Sequence, residues 1–413
     1  MKVVIIGGGT TGWLTSLFVE KYWKGADITL VESSKIGILG AGEGVTPNFG
    51  ATLKLLNISE TDFIAETKST IKNGLNFINW RGDGNATYHN FMGERNPLIG
   101  INNGFHMDAR LVAKYFQSLA VSRGIKHIDA NVINFKSIDS DIDEVLTDMD
   151  LDLKSDFVFD CSGFARLTMT KVYDEKWISY KDDLIVNSAL AYFLPQTDII
   201  TSNTTTQTNM ISMKSGWMWQ APLQHRWGCG YVFNDTYISI DEAKKEIENY
   251  IKQPISIVKT FKYDAGYYEN FWIGNCVSLG LSSSFLEPLE STSLMTTIML
   301  LKKLSDINFN KKYRNNVNQY YREITEQNML FVRYHYMCDR NDSEFWKFYK
   351  NKPLPNKLQN LLKKDGSPNF TTIDELISKL NLVETKPNTL TFFPSNYNII
   401  YRKNSLKFSN QLL

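Results

Sequence analysis

The chain has 413 residues, enough for about two or three domains with sizeable cores. Lysine and arginine total 45 against 44 acidic residues, and a net charge of +1 excludes a global field that would hold nucleic acid or an anionic membrane. Five histidines and four scattered cysteines, with no Cys-x-x-Cys pair, point away from a metal site or a disulfide scaffold and toward a reducing compartment.

The N-terminus, MKVVIIGGGTTGW, is too short in its apolar part for a signal-peptide core. The longest apolar stretch, 294–301, contains two threonines and falls short of a membrane span. The expectation is a soluble, cytoplasmic protein.

In chain order, Val3 to Ile6 form a continuous apolar run, as in a strand buried on both faces of a parallel sheet. Leu14, Leu17 and Phe18 recur at helical spacing, Gly25 marks a stop, and 28–31 reads as the next strand. A Gly-rich loop follows over 37–47. Asp108 is a good N-cap for a helix that would bury Leu111, Val112, Tyr115, Phe116 and Leu119. DFVFDCSG, 156–163, reads as another buried strand ending in glycine. Alternating strands from about 184 to 240 announce an antiparallel sheet, a helix covers 241–251, and the chain beyond about 293 reads as helical. The basic pairs Lys302-Lys303, Lys311-Lys312 and Lys363-Lys364 read as solvated helix faces, because acidic residues are interspersed.

Gly7-x-Gly9-x-x-Gly12 lies between the first strand and helix, and Glu32 stands twenty residues after the last glycine. In such a fingerprint the first glycine makes the tight turn and the second admits a pyrophosphate. The third packs helix on strand, the acid binds ribose hydroxyls, and the helix start supplies positive dipole. Thr10 and Thr11 belong to the same turn. A single fingerprint, with two later strand–glycine segments (DFVFDCSGF, and WIGNCVSLG leading to Gly280), favours FAD over NAD.

Three further segments carry a resemblance. GWMWQAP, with Trp217 and Trp219, is similar to the W-x-W-x-I-P signature of flavin-dependent halogenases. SSSFLEPLEST, 282–292, resembles that family's active-site and halide-binding stretch. KNGLNFINWR, 72–81, resembles the segment carrying its catalytic lysine. With the fingerprint, GAGEGVTP (which supplies Gly42 and Glu43) and DCSGF, the match runs from residue 1 to about 350.

The resemblance implies a fold of the aromatic-hydroxylase flavoprotein type: an α/β, Rossmann-like FAD-binding domain, an antiparallel sheet region and a helical C-terminal part. The corresponding division is 1–180 with 265–305, 181–264, and 306–413. It also implies a chemistry. FADH2, supplied by a separate NAD(P)H-dependent flavin reductase, reacts with oxygen to a flavin hydroperoxide. A halide attacks it, and the hypohalous acid formed travels to an electron-rich aromatic substrate.

By motif position Lys72 is the halogenating lysine and Glu290 the assisting carboxylate. Thr292 and Ser293 would bind halide through their amides, Trp217 and Trp219 would keep substrate from the flavin, and His89 and Phe91 would clamp the aromatic ring. A core histidine is the equal alternative for His89, and His106, His127, His225 and His335 stay unassigned.

The pattern departs at Ala221, in place of isoleucine, and at Gly44, in place of an alanine. It also departs at Ser293, in place of glycine. Were position 293 to need positive φ, serine would reshape the anion pocket, and bromide or iodide would be accepted better than chloride. The region 347–413 matches nothing firmly, although Phe392, Phe393 and Tyr397 can line a pocket, so a broad range of phenols, indoles and anilines is expected. The alternative reading is a flavin-dependent aromatic monooxygenase. A homo-oligomer is left open.

Overall fold

The computed structural model describes residues 1–405 except 39, 41, 92–102, 197–205 and 383–389. Its first layer is a six-stranded sheet in the order Trp272–Ile273, Cys276–Ser278, Phe157–Asp160, Lys2–Ile6, Asp27–Glu32, Lys126–Asp129. All neighbours are parallel except the first pair. The central strands are apolar on both faces because helices cover one side and a three-stranded meander (Val132–Ile138, Asp141–Thr147, Asp152–Lys154) covers the other.

The helix Thr10–Tyr22 packs on the helix Ala109–Ser122, which Asp108 caps by accepting from the Arg110 N–H at 3.0 Å. The buried stripe of Ala109–Ser122 runs through Ala109, Val112, Ala113, Phe116 and Ala120, while Leu111, Tyr115 and Leu119 are only half-buried. Three alanines let the two helices approach closely, which turns the larger side chains toward the rim.

The fingerprint turn shows why glycine is required there. Gly7 has φ +105°, and a Cβ on it would lie 2.3 Å from the Cys161 carbonyl oxygen. A Cβ on Gly12 would lie 1.8 Å from the Gly7 oxygen, whereas Gly9 faces open space. Strand, turn and helix therefore close on one another and leave the middle glycine for a ligand.

The second layer is a seven-stranded sheet in the order Ile257–Lys262, Ser188–Leu194, Trp227–Phe233, Gly216–Pro222, Gln207–Met213, Gly74–Ile78, Ala86–Asn90. It is antiparallel apart from the parallel pairing of Gln207–Met213 with Gly74–Ile78. The sheet thus takes in two strands from 74–90, a stretch the sequence division placed with the FAD-binding part. Non-local pairing of this kind leaves no local pattern to read.

One face of this sheet, carrying Trp217, Trp219 and Ala221, packs against the long helix Arg314–His335 and the short helices beyond it in one apolar cluster. The other face is covered by the helix Ile240–Ile251, whose start is closed by a Ser239–Glu242 capping box. A small sheet, Glu43–Val45, Gly104–Met107 and Thr70–Lys72, joins the layers. Among the described residues no helix is long and apolar enough to cross a membrane. All four cysteines are free.

Gly7→Ala is expected to cost more than about 2 kcal/mol, because strain and a backbone clash add. Urea denaturation of the variant beside the parent measures it.

Candidate active site

The site forms where the small sheet meets the start of a helix. Pro288 opens a turn that the Ser291 N–H closes on the Pro288 carbonyl at 3.1 Å, and Ser291 itself sits at φ +57°. The helix Thr292–Asp306 follows, held by buried Met295, Ile298 and Leu301. Ser291 makes no side-chain cap bond, so it does not use the first-turn N–H donors at Thr292 and Ser293. Ser293 lies inside this helix and is not among the residues of positive φ. The premise for a reshaped anion pocket therefore falls: the left-handed residue is Ser291, two positions earlier.

Lys72, at the end of Thr70–Lys72, is 1% exposed, and its Nζ donates to Ser291 Oγ at 3.0 Å. The same ammonium stands 5.5 Å from the centre of the Phe91 ring. Burial lowers its pKa to about 8, with the Glu290 charge opposing the fall. A Cβ on Gly44 would lie 2.6 Å from Nζ and 3.2 Å from Ser291 Oγ, so the absent side chain at 44 is what lets the lysine reach the serine.

Glu290, also 1% exposed, is gripped by two imidazoles. His335 Nε2 lies 2.7 Å and His89 Nδ1 3.3 Å from the same oxygen, Oε1. Burial alone would raise this carboxyl, but His89 and His335 outweigh it and hold it well below the usual carboxylate range. His106, buried beneath the lysine, lies between the hydroxyls of Thr70 (3.1 Å) and Thr208 (2.9 Å). Burial and the Lys72 charge push its pKa well down, so it is neutral.

Trp217 and Trp219 share one face of their strand, with ring centres 6.3 Å apart. Trp219 lies over its cross-strand partner Gly230, where a Cβ would be 1.9 Å from the ring. The Trp217 indole N–H donates to Glu287 Oε1 (3.1 Å) and to the Tyr336 oxygen (3.0 Å), and Tyr336 donates to Glu287 at 2.7 Å. Burial raises the Glu287 carboxyl to about 8. Two carboxylates three residues apart thus differ in state: Glu287 is neutral among hydroxyl and indole donors, Glu290 ionised between imidazoles.

The residues of the fingerprint fit FAD. Thr10 Oγ1 is buried without a hydrogen-bond partner at the helix start, Gly9 is open, and Glu32 reaches over Gly8, where a Cβ would lie 1.7 Å from Oε2. His127 Nε2 lies 3.1 Å from the other Glu32 oxygen. Gly280, at φ +63°, abuts Thr11, and a Cβ there would be 2.7 Å from Oγ1. In the 37–47 loop, Gly42 lies against Gly228, and Glu43 accepts from the Ala109 N–H at 3.0 Å, anchoring the loop to the next helix.

The structure therefore brings Lys72, Glu290, Thr292, Ser293, His89 and Phe91 to one place. Ser291, Glu287, His335 and Asn396, whose side-chain nitrogen stands 3.0 Å from His89 Nε2, were not anticipated there. The Glu287-Pro-Leu-Glu290 doublet was a signal for the first carboxyl. His335 gave none, since its partner stands 45 residues earlier.

Glu287 sets a pH dependence. Between about pH 4.5 and 8 the unfolded state has released this proton and the folded state keeps it, so stability falls as pH rises, by up to about 1.4 kcal/mol per unit. Glu287→Gln is expected to flatten that slope, read by urea titrations of variant and parent across this range.

A family model described as tryptophan halogenase matches residues 2–100 and 92–376. The tryptophan 7-halogenase RebH of Lentzea aerocolonigenes is 28% identical over 87% of this chain and 80% of its own. Among solved structures, the thermophilic tryptophan halogenase Th-Hal from Streptomycin violaceusniger superposes with a TM-score of 0.86 at 26% identity, covering 98% of this chain and 92% of that one. Tar14, a tryptophan C-6 flavin-dependent halogenase from taromycin biosynthesis, gives 0.83 at 25% identity over 98% and 90%. With the FAD-binding turn and the buried lysine–glutamate site already in place, the chain belongs to the tryptophan halogenase family and is an FAD- and halide-dependent halogenase.

Proposed function

We propose that this protein halogenates electron-rich aromatic compounds, indoles before phenols and anilines, with Lys72 guiding the halogenating species and Glu290 assisting. One observation carries the reading: an ammonium and a carboxylate are buried together beside an uncapped helix start. The preference for indoles rests on the relatives, whose names specify tryptophan. FAD, delivered reduced by a separate flavin reductase, would together with dioxygen supply the two-electron oxidation that turns halide into hypohalous acid.

The chain's own groups do the rest. The first-turn amides at Thr292 and Ser293 and the helix dipole hold halide. Lys72, a compact donor set by Ser291, polarises the oxygen of hypohalous acid and makes its halogen electrophilic. Glu290 faces the positive charge that grows on the attacked ring and takes up the proton lost when aromaticity returns. Trp217 and Trp219 form an apolar partition, with Trp217 locked by Glu287 and Tyr336. Phe91 offers a face to the substrate ring. The backbone at Ser293 supplies no reason to prefer bromide or iodide over chloride.

The test is turnover with a flavin reductase, NADH, FAD and oxygen on a panel of indoles, tryptophan, phenols and anilines, with each halide separately and catalase present. Mass spectrometry is expected to find halogenated product that falls at least about a hundredfold in Lys72→Ala and in Glu290→Ala. Hydroxylated product without halide would sink the reading. The working ammonium also predicts that kcat falls on the alkaline side with a midpoint near 8. A rise instead would make the neutral amine, through a haloamine, the active form.

A further inference from the structure

His335 has both ring nitrogens against oxygen acceptors. Nδ1 lies 2.9 Å from the Phe331 carbonyl, which can only accept, and Nε2 lies 2.7 Å from Glu290 Oε1. The second imidazole is in a different state. Asn396 accepts the Phe393 N–H at 2.6 Å through Oδ1, which fixes its amide, so its NH2 group points at His89 Nε2, 3.0 Å away. His89 Nε2 is therefore the bare nitrogen, and Nδ1–H donates to Glu290 Oε1. An ionised Glu290 can only accept, from His335 as from His89, so the proton between Oε1 and His335 Nε2 lies on the imidazole.

We propose that His335 is a buried imidazolium, the counter-charge that keeps Glu290 ionised and aimed, and that Asn396 in the C-terminal helix selects the His89 tautomer completing the clamp. Both are positioning residues, and the inference takes Glu290 as the assisting carboxylate proposed above.

Among the described residues the titratable groups that face the carboxylate come from three elements. Glu290 is faced by His89 from the strand Ala86–Asn90, by His335 from the helix Arg314–His335, and by the Lys72 charge from the strand Thr70–Lys72. The rings of Phe77, Trp80 and Phe331 pack against His335. Within this apolar packing a lone carboxylate would take up a proton and lose its use as a base. With one full positive charge on His335 and a neutral donor on His89, the carboxylate is compensated, and the Lys72 ammonium remains free to act on its own partner.

This arrangement also ties the site to the end of the chain. Phe392 stacks on Phe331 with ring centres 3.7 Å apart, and Tyr397 packs edge-on to the same ring at 5.1 Å. Asn396 is thereby held against the strand that carries His89, some 300 residues earlier.

The experiment is nitrogen-15 NMR of histidine-labelled protein with FAD bound. The chain has only five histidines, so each signal is assignable by His→Gln substitution, and if the His335 variant fails to fold its ring is the one left after His89, His106, His127 and His225 are assigned in turn. One ring is expected to keep both nitrogens protonated well above the ordinary imidazole pKa of about 6.5, and to vanish in His335→Gln. A second, His89, is expected to show a bare Nε2 whose signal moves in Asn396→Leu. A single bare nitrogen on His335 near neutral pH would overturn the proposal, because the proton would then sit on Glu290.

In turnover, His335→Gln keeps an N–H donor but loses the charge. It is expected to lower kcat at least about tenfold and to move the acid limb of the pH profile upward by about one unit, with FAD affinity and KM held. An unchanged profile would equally overturn the assignment. A doubly protonated His335 in a protein whose Glu290→Ala variant retains full activity would leave the charge assignment standing and remove the role proposed for Glu290.

Discussion

Burying an ionised carboxylate costs several kcal/mol unless the protein supplies charge and hydrogen bonds to match. Glu290 is buried, and the surrounding architecture reads as the means of meeting that cost. Its oxygen is reached by an imidazole from the edge strand of the large sheet and by another from the last turn of the long helix. Its neighbour Ser291 receives the ammonium from the small sheet. Three elements far apart in the chain converge because the short turn after Pro288 puts the acid, the serine and the helix start within three residues.

Proximity of unlike environments explains how one turn holds two carboxyls in opposite states. Glu287 meets neutral donors, an indole and a phenol, and burial governs it. Glu290 meets imidazoles, and they govern it. The neutral acid locks Trp217 without placing a second negative charge in the cluster, which would compete with Glu290 for the same cations. Glycines set the remaining distances. Gly44 clears the space that Lys72 fills, and Gly230 clears the floor on which Trp219 lies.

Much of the fold was legible in the sequence because it is local. The first strand, turn and helix follow from an apolar run, three glycines and helical spacing within twenty-two residues. The helix read over 241–251 stands in the structure as Ile240–Ile251. The boundary of the large sheet was not legible, since Gly74–Ile78 joins Gln207–Met213 across more than a hundred residues. The helix Ala109–Ser122 turned its alanines inward because its partner helix, unseen in the local pattern, demanded close approach.

The same division runs through the site. The sequence by itself carried the FAD fingerprint, as residue types at fixed spacing, and it pointed to the paired tryptophans, Lys72 and Glu290 through short segments that resemble family motifs. Only the tertiary structure decided that Ser291 rather than Ser293 takes the left-handed conformation, that Glu287 is neutral, and that His335 reaches Glu290 and Asn396 reaches His89. Those facts depend on what burial and packing bring within about 3 Å, and protonation answers to that environment rather than to neighbours along the chain.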